Sequence, residues 1–181
     1  MKLFAFAASH RKDSINRKIA RVAADMAEGQ GANVAFAEYG EFDSPIYDDE
    51  LFDEKSIPES VERFIEQLNG AKGIILASPE YNWSFPGSLK NLIDWVSVKN
   101  PNPLNGKSIL LLSASPSLRG GAEGLVQLRT PLSALGAFVY PKMFYLARAE
   151  ALLKHNTIAD ERVRGDLQKL TQNFVNFTGT L

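Results

Sequence analysis

The chain has 181 residues, 45% hydrophobic and 23% charged, which suits one soluble globular domain with a sizeable core. Its formal net charge of −1 excludes a global basic field for nucleic acid and a polybasic membrane signal. The lack of cysteine excludes disulfides, thiol nucleophiles and cysteine-based zinc or iron–sulfur sites, and it fits a cytoplasmic location, the default expectation.

Apolar runs alternate with helical patterns from end to end. Met1 to Ser9 superficially resembles a signal peptide, but its apolar run is too short for a membrane span and no cleavage region follows. Leu3 to Ala8 is therefore expected as the first strand. Ile19, Val22, Ala23 and Met26 recur at helical spacing and predict a first helix, ended by Gly29 and Gly31 in the left-handed C-cap conformation. Asn33 to Glu38 reads as a weaker second strand. Gly40 to Ser56 is a long irregular link carrying Asp43, Asp48, Asp49, Glu50, Asp53 and Glu54 among Pro45, Tyr47, Leu51 and Phe52. It is either a solvated surface loop or a subunit contact made by its aromatics.

Pro58 suits the first turn of the second helix, whose apolar stripe is Val61, Phe64, Ile65 and Leu68. Gly73 to Ala77 is the third strand. Ser88 to Val98 forms the third helix, striped by Leu89, Leu92, Ile93 and Val96 and broken by Asn100-Pro101-Asn102-Pro103. Ser108 to Ser113, uniformly apolar at its centre, suits a parallel strand covered on both faces. Leu125, Leu128, Leu132 and Leu135 stripe a fourth helix. Ala137 to Tyr140, with an extension to Leu146 left open, gives the fifth strand. Val163, Leu167, Leu170 and Phe174 stripe the last helix. Five strands alternating with five helices predict one α/β domain over 1–181, a flavodoxin-like three-layer sandwich around a five-stranded parallel sheet of order 2-1-3-4-5.

In such a sheet the loops after strands one, three and four emerge at one edge, where ligands bind. The first, Ser9 to Arg17, leads into a helix N-terminus, where free N–H groups and the helix dipole favour an anion. Ser9, Ser14 and Asn16 can donate hydrogen bonds there, and Arg11 brings a planar charged fork for phosphate oxygens. The same residues also read as a plain N-cap with a solvent-facing arginine. Neither a Walker A loop nor the dinucleotide glycine fingerprint is present. The second loop, Ser78 to Gly87, presents Glu80, Tyr81, Asn82 and Trp83 in succession, followed by Phe85. Its aromatics could be core, but consecutive polar groups are costly to bury unpaired. The third, Ser113 to Gly121, is rich in small residues that let backbone approach a ligand. Together the loops favour a ligand with a phosphate at one end and a flat, polar-edged ring at the other, the shape of flavin mononucleotide (FMN).

Ser9-His10-Arg11-Lys12-Asp13-Ser14-Ile15-Asn16 resembles the Gly-Ser-x-Arg-x-x-Ser-x-Asn loop of the NADPH-dependent FMN reductases. Pro79-Glu80-Tyr81-Asn82-Trp83-Ser84-Phe85-Pro86-Gly87-Ser88-Leu89-Lys90-Asn91, extended by Asp94-Trp95, resembles their second signature. That family includes quinone, chromate and azo-dye reductases. The resemblance implies that Ser9, Arg11, Ser14 and Asn16 bind the FMN phosphate, that Pro79, Glu80, Tyr81 and Asn82 line the isoalloxazine, and that Ser115 touches the flavin. It also implies a homodimer or homotetramer with the flavin near the subunit interface. Three residues depart from the pattern: Ala8 for the first glycine, Ser117 where relatives often have glycine, and Trp83 at the variable position. A positive φ at Ala8 would be costly.

The activity so implied is hydride transfer from NADPH or NADH through FMN to a quinone-like or other small acceptor. The flavin carries that chemistry, so no catalytic side chain is required. No Gly-x-Ser-x-Gly elbow is present, and two histidines, His10 and His155, without cysteine argue against a zinc site. His10 is expected beside the phosphate or exposed. The alternatives are a flavodoxin-type FMN electron carrier and a flavin-free interaction protein on the same scaffold. Neither nucleic acid nor membrane is an expected partner.

Overall fold

The computed structural model describes residues 1–50, 57–154 and 157–181. Strand alternation builds two cores, one on each side of the sheet. β1 (Lys2–Ala7) turns Leu3, Ala5 and Ala7 to one face and Phe4 and Phe6 to the other. On the first face α1 (Ile15–Glu28) packs through Ala20, Ala23, Ala24 and Ala27. Small residues on both sides let this helix lie close to the sheet, which fixes where its N-terminus points. On the other face Phe4 and Phe6 meet Phe42 and Phe64 at centroid distances of 5.3–6.4 Å, mostly edge-on.

β2 (Asn33–Phe36) is shorter than expected. The Glu38 side chain caps the next turn while Glu41 Oε1 accepts from Glu38 N–H at 3.0 Å, and the chain enters a 3-10 turn, Tyr39–Phe42. Beyond it, the described part of the long link is tied down. Tyr47 N–H donates to Asn91 Oδ1 at 2.7 Å, and Asn91 Nδ2 and Trp95 Nε1 donate to Pro45 O at 2.9 and 2.8 Å. Leu51, Phe52, Asp53 and Glu54 lie outside the described residues.

α2 (Glu59–Gly70), β3 (Gly73–Ala77), α3 (Gly87–Ser97), β4 (Ser108–Ala114) and α4 (Ala122–Ala134) follow in the expected order. The stripes Val61, Phe64, Ile65, Leu68 and Leu89, Leu92, Ile93, Val96 are buried, as are Leu125, Leu128 and Leu132. The fifth strand position is divided between β5 (Phe138–Val139) and β6 (Phe144–Leu146), both paired with β4. Pro141 has no N–H to continue the ladder, and Arg129 Nη1 instead donates to Tyr140 O and Pro141 O, each at 3.2 Å. The main sheet is parallel, in the order β2-β1-β3-β4-β5. The expected flavodoxin-like order therefore holds, with the last position split.

Two small elements were not expected: α5 (Ala149–Leu152) and an antiparallel pair, β7 (Leu153–Lys154) with β8 (Thr157–Ile158). Elements of two to four residues carry no readable periodicity. His155 lies outside the described residues. α6 (Glu161–Thr180) closes the first face against α1, burying Leu167, Leu170 and Phe174. The end of α1 corrects one detail. Gly31 is left-handed at φ 83°, whereas Gly29, at φ −61°, continues the right-handed helix. No helix among the described residues is long and apolar enough to cross a membrane.

Candidate functional site

The carboxyl ends of β1, β3 and β4 are in register, with Ala7 opposite Ala77 and Ala77 opposite Leu112. Ala8 N–H donates to Ala77 O and Ser78 N–H to Leu112 O, both at 2.9 Å, so the ladders run one step further before the loops leave. The loops meet around a cleft of about 190 Å³. Ser9, Arg11, Ser14 and Asn16 line it from the first loop, Pro79, Glu80 and Tyr81 from the second, and Ser115 from the third. Asn82 does not line it; it sits at the tip of the second loop, exposed, at φ 51°.

Ser14 is the N-cap of α1, and its Oγ accepts from Arg17 N–H at 3.2 Å. The hydroxyl hydrogen stays available to a ligand, so capping and binding are compatible. The N–H groups of Ile15 and Asn16 have no partner among the described residues, as the first turn of a helix requires. Arg11 is exposed and has no carboxylate partner among the described residues. Ser9 Oγ accepts from Arg11 N–H at 3.4 Å. Ala8 does not have a positive φ, so its replacement of glycine costs nothing in the backbone. Asn16 is buried, and its carboxamide is already engaged with the Ala114 backbone: Nδ2 donates to Ala114 O and Oδ1 accepts from Ala114 N–H. It thus fastens the first loop to the third while lining the cleft.

His10 is exposed. Its Nε2 contacts the Asp43 carboxylate, and its ring lies 4.8 Å from that of Tyr39. Tyr39 is buried, which pushes its phenol up to about 12 against a small lowering from its hydrogen bond to Ser88.

In the second loop, Glu80 Oε2 accepts from Gly124 N–H in the first turn of α4 at 2.8 Å. A Cβ on Gly124 would approach Glu80 Cβ and Cγ at 3.3 Å, so glycine is what admits this contact. Of the aromatics, only Phe85 packs on the core; Tyr81 and Trp83 are half-exposed or more. In the third loop Ser117 N–H donates to Ser115 Oγ at 3.2 Å, and Arg119 N–H to Ser117 Oγ at 3.3 Å. Ser117 closes the turn through its hydroxyl without a positive φ, which accounts for serine in place of glycine. Gly121, at φ 85°, has no room for a side chain without a shift: a Cβ would fall 2.1 Å from Ser113 Oγ.

A larger cleft of about 550 Å³ lies between the link after β2 and the first half of α3, walled by Tyr39, Phe42, Tyr47 and Asn91. Sequence reading missed it, because its walls come from segments with no shared motif. No group of metal-ligating side chains occurs among the described residues.

A parallel sheet of this order, with N–H groups, hydroxyls and an exposed arginine gathered at its carboxyl edge, defines a flavodoxin-like mononucleotide-binding protein. The profile of the NADPH-dependent FMN reductases matches residues 1–151. A quinone reductase of Escherichia coli (strain K12) is 38% identical over 134 residues, covering 74% of this chain and 70% of that protein. An NAD(P)H-dependent FMN reductase of Pseudomonas aeruginosa is 32% identical over 130 residues, 71% of this chain and 70% of that protein. The solved structure of FerB, a flavoenzyme NAD(P)H:(acceptor) oxidoreductase from Paracoccus denitrificans, superposes with a TM-score of 0.83 at 29% identity, covering 99% of this chain and 97% of that one. The chain belongs to the NADPH-dependent FMN reductase family, oxidoreductases that use FMN with NAD(P)H as co-substrate. Family membership favours the enzyme over the electron-carrier reading.

Proposed function

We propose that the cleft binds FMN and that the protein passes a hydride from NADPH or NADH to a quinone-like or other small acceptor. One observation carries the reading: three loops far apart in sequence converge on a single cleft, one end of which has N–H and hydroxyl donors and an arginine without a carboxylate partner among the described residues. Ser9, Arg11, Ser14 and the first turn of α1 would hold the phosphate, with Asn16 fixing the loop that carries them. Pro79, Glu80 and Tyr81 would face the ring, with Asn82 shaping the tip of their loop outside the cleft, and Ser115 would close the third side. Bound FMN supplies the hydride relay, so these side chains bind and orient rather than act as acid, base or nucleophile. Glu80, tied to Gly124, positions the second loop.

The same proposal includes one FMN-binding domain over 1–181, a cytoplasmic location and a homodimer or homotetramer. The oligomer reading rests on the family to which the chain belongs.

Titration of apoprotein with FMN tests the site. Arg11→Ala removes hydrogen bonds to a charged group, worth about 1.5–3 kcal/mol, so affinity should fall roughly ten- to a hundredfold. Unchanged affinity would take Arg11 out of the site, and no flavin binding by the wild-type protein would refute the reading. Light scattering after gel filtration measures the assembly; a monomer would exclude the oligomer.

A further inference from the structure

The tip of the second loop holds two adjacent non-glycine residues in the left-handed region, Asn82 at φ 51° and Trp83 at φ 69°. The turn closes with Tyr81 N–H donating to Ser84 O at 2.8 Å and Ser84 N–H donating to Tyr81 O at 3.1 Å. Asparagine enters this conformation readily. At the second position glycine is the default, and a bulky side chain there is strained. Burial does not compensate, because Trp83 is 57% exposed. What holds the indole is Arg119, whose guanidinium carbon lies 4.4 Å from its ring centroid.

Arg119 belongs to the third loop. Its ion pair with Glu123 is long, at 3.5 Å, and exposed. Tyr81, two positions before Trp83, and Pro116, three before Arg119, both line the cleft. The pair therefore spans two of the loops that build the cleft. A strained backbone maintained to hold an exposed flat ring is a pattern found at ligand clamps.

We propose that Trp83 is a specificity-determining residue for the electron acceptor: its indole face stacks planar aromatic acceptors at the mouth of the cleft, and Arg119 is the positioning residue that holds it there. The inference rests on the cleft being the FMN site. Compact inorganic oxidants have no flat face to stack and gain nothing from the indole.

The test uses FMN-loaded protein with 1,4-naphthoquinone and ferricyanide as acceptors. Glycine adopts the backbone at position 83 without strain, so Trp83→Gly should fold and bind FMN like the wild type. The KM for naphthoquinone should rise about two- to tenfold, the range for one aromatic stack, while kcat/KM for ferricyanide stays unchanged. Arg119→Met should reproduce that pattern and Arg119→Lys, which keeps a cation for the ring, should largely restore it. A readout without turnover is quenching of tryptophan emission by naphthoquinone in oxidised protein. Trp83 is exposed and Trp95 is buried, so the quench should vanish in Trp83→Gly. An unchanged naphthoquinone KM, an equal loss with ferricyanide, or loss of FMN affinity in Trp83→Gly would each overturn the proposal. Failure of the wild-type protein to bind FMN would instead strike the earlier reading.

Discussion

Asn16 and Ala114, 98 positions apart, exchange two hydrogen bonds of 2.9 Å each, so that a side chain on α1 pairs with the end of β4 as another strand would. The pairing fixes the first loop against the third at the base of the cleft. Asn16→Ala would leave a buried N–H and a buried carbonyl without partners, at about 1–3 kcal/mol for each unsatisfied group. Thermal unfolding should show a lower Tm, and FMN titration a weaker affinity, because the phosphate loop loses its anchor. Retention of both values would show that the loop is held by something else.

Gly121→Ala tests the close packing of the third loop. The added Cβ meets Ser113 Oγ, which donates to Ser78 O at 2.7 Å and so cannot move freely. Overpacking of this kind costs about 1–3 kcal/mol, and the left-handed backbone at φ 85° adds about 1–2 kcal/mol for alanine. Combining it with Ser113→Ala should recover part of the loss, a positive coupling measurable in a double-mutant cycle of denaturant midpoints.

Tyr39 makes one contribution to stability in alkali. Burial raises its phenol from 10.0 to about 12, the Ser88 hydrogen bond opposes that, and the Asp43 charge adds to it. Below pH 10 both folded and unfolded chains keep the proton. Between pH 10 and 12 the unfolded chain gives it up first and binds fewer protons, so stability falls as pH rises, by up to about 2–3 kcal/mol. Tyr39→Phe, which keeps the ring stacked on Phe6, should flatten this part of the curve. Chemical denaturation of both proteins at pH 9 and 11 measures the difference.

Thr171 is buried in α6, and its hydroxyl finds no hydrogen-bond partner among the described residues. Thr171→Val removes an uncompensated polar group at nearly constant shape. It should raise stability by about 1 kcal/mol or leave it unchanged, as read from Tm. A clear loss would reveal a hydrogen bond at Thr171.

The helices and central strands were legible because their signals are local. Val61, Phe64, Ile65 and Leu68 repeat at helical spacing, and Ile109 to Leu112 is an unbroken apolar run. The divided fifth strand was only half legible: Pro141 marks the break, but nothing nearby announces that Phe144–Leu146 returns to β4. At the site, the motifs picked out the loops that converge, and eight of the nine candidate residues line the cleft, all but Asn82. What could not be read were pairings across the fold, such as Asn16 with Ala114, Glu80 with Gly124 and His10 with Asp43. Each joins segments whose mutual approach depends on sheet order and helix placement together.

Anaerobic mixing of FMN-loaded protein with NADPH or NADH, with the flavin absorbance band followed, separates a reductase from an electron carrier. A reductase should bleach rapidly and recover its colour when a quinone is added. A protein that binds FMN but keeps its band unchanged with either nucleotide would contradict the reductase and leave an electron carrier in its place.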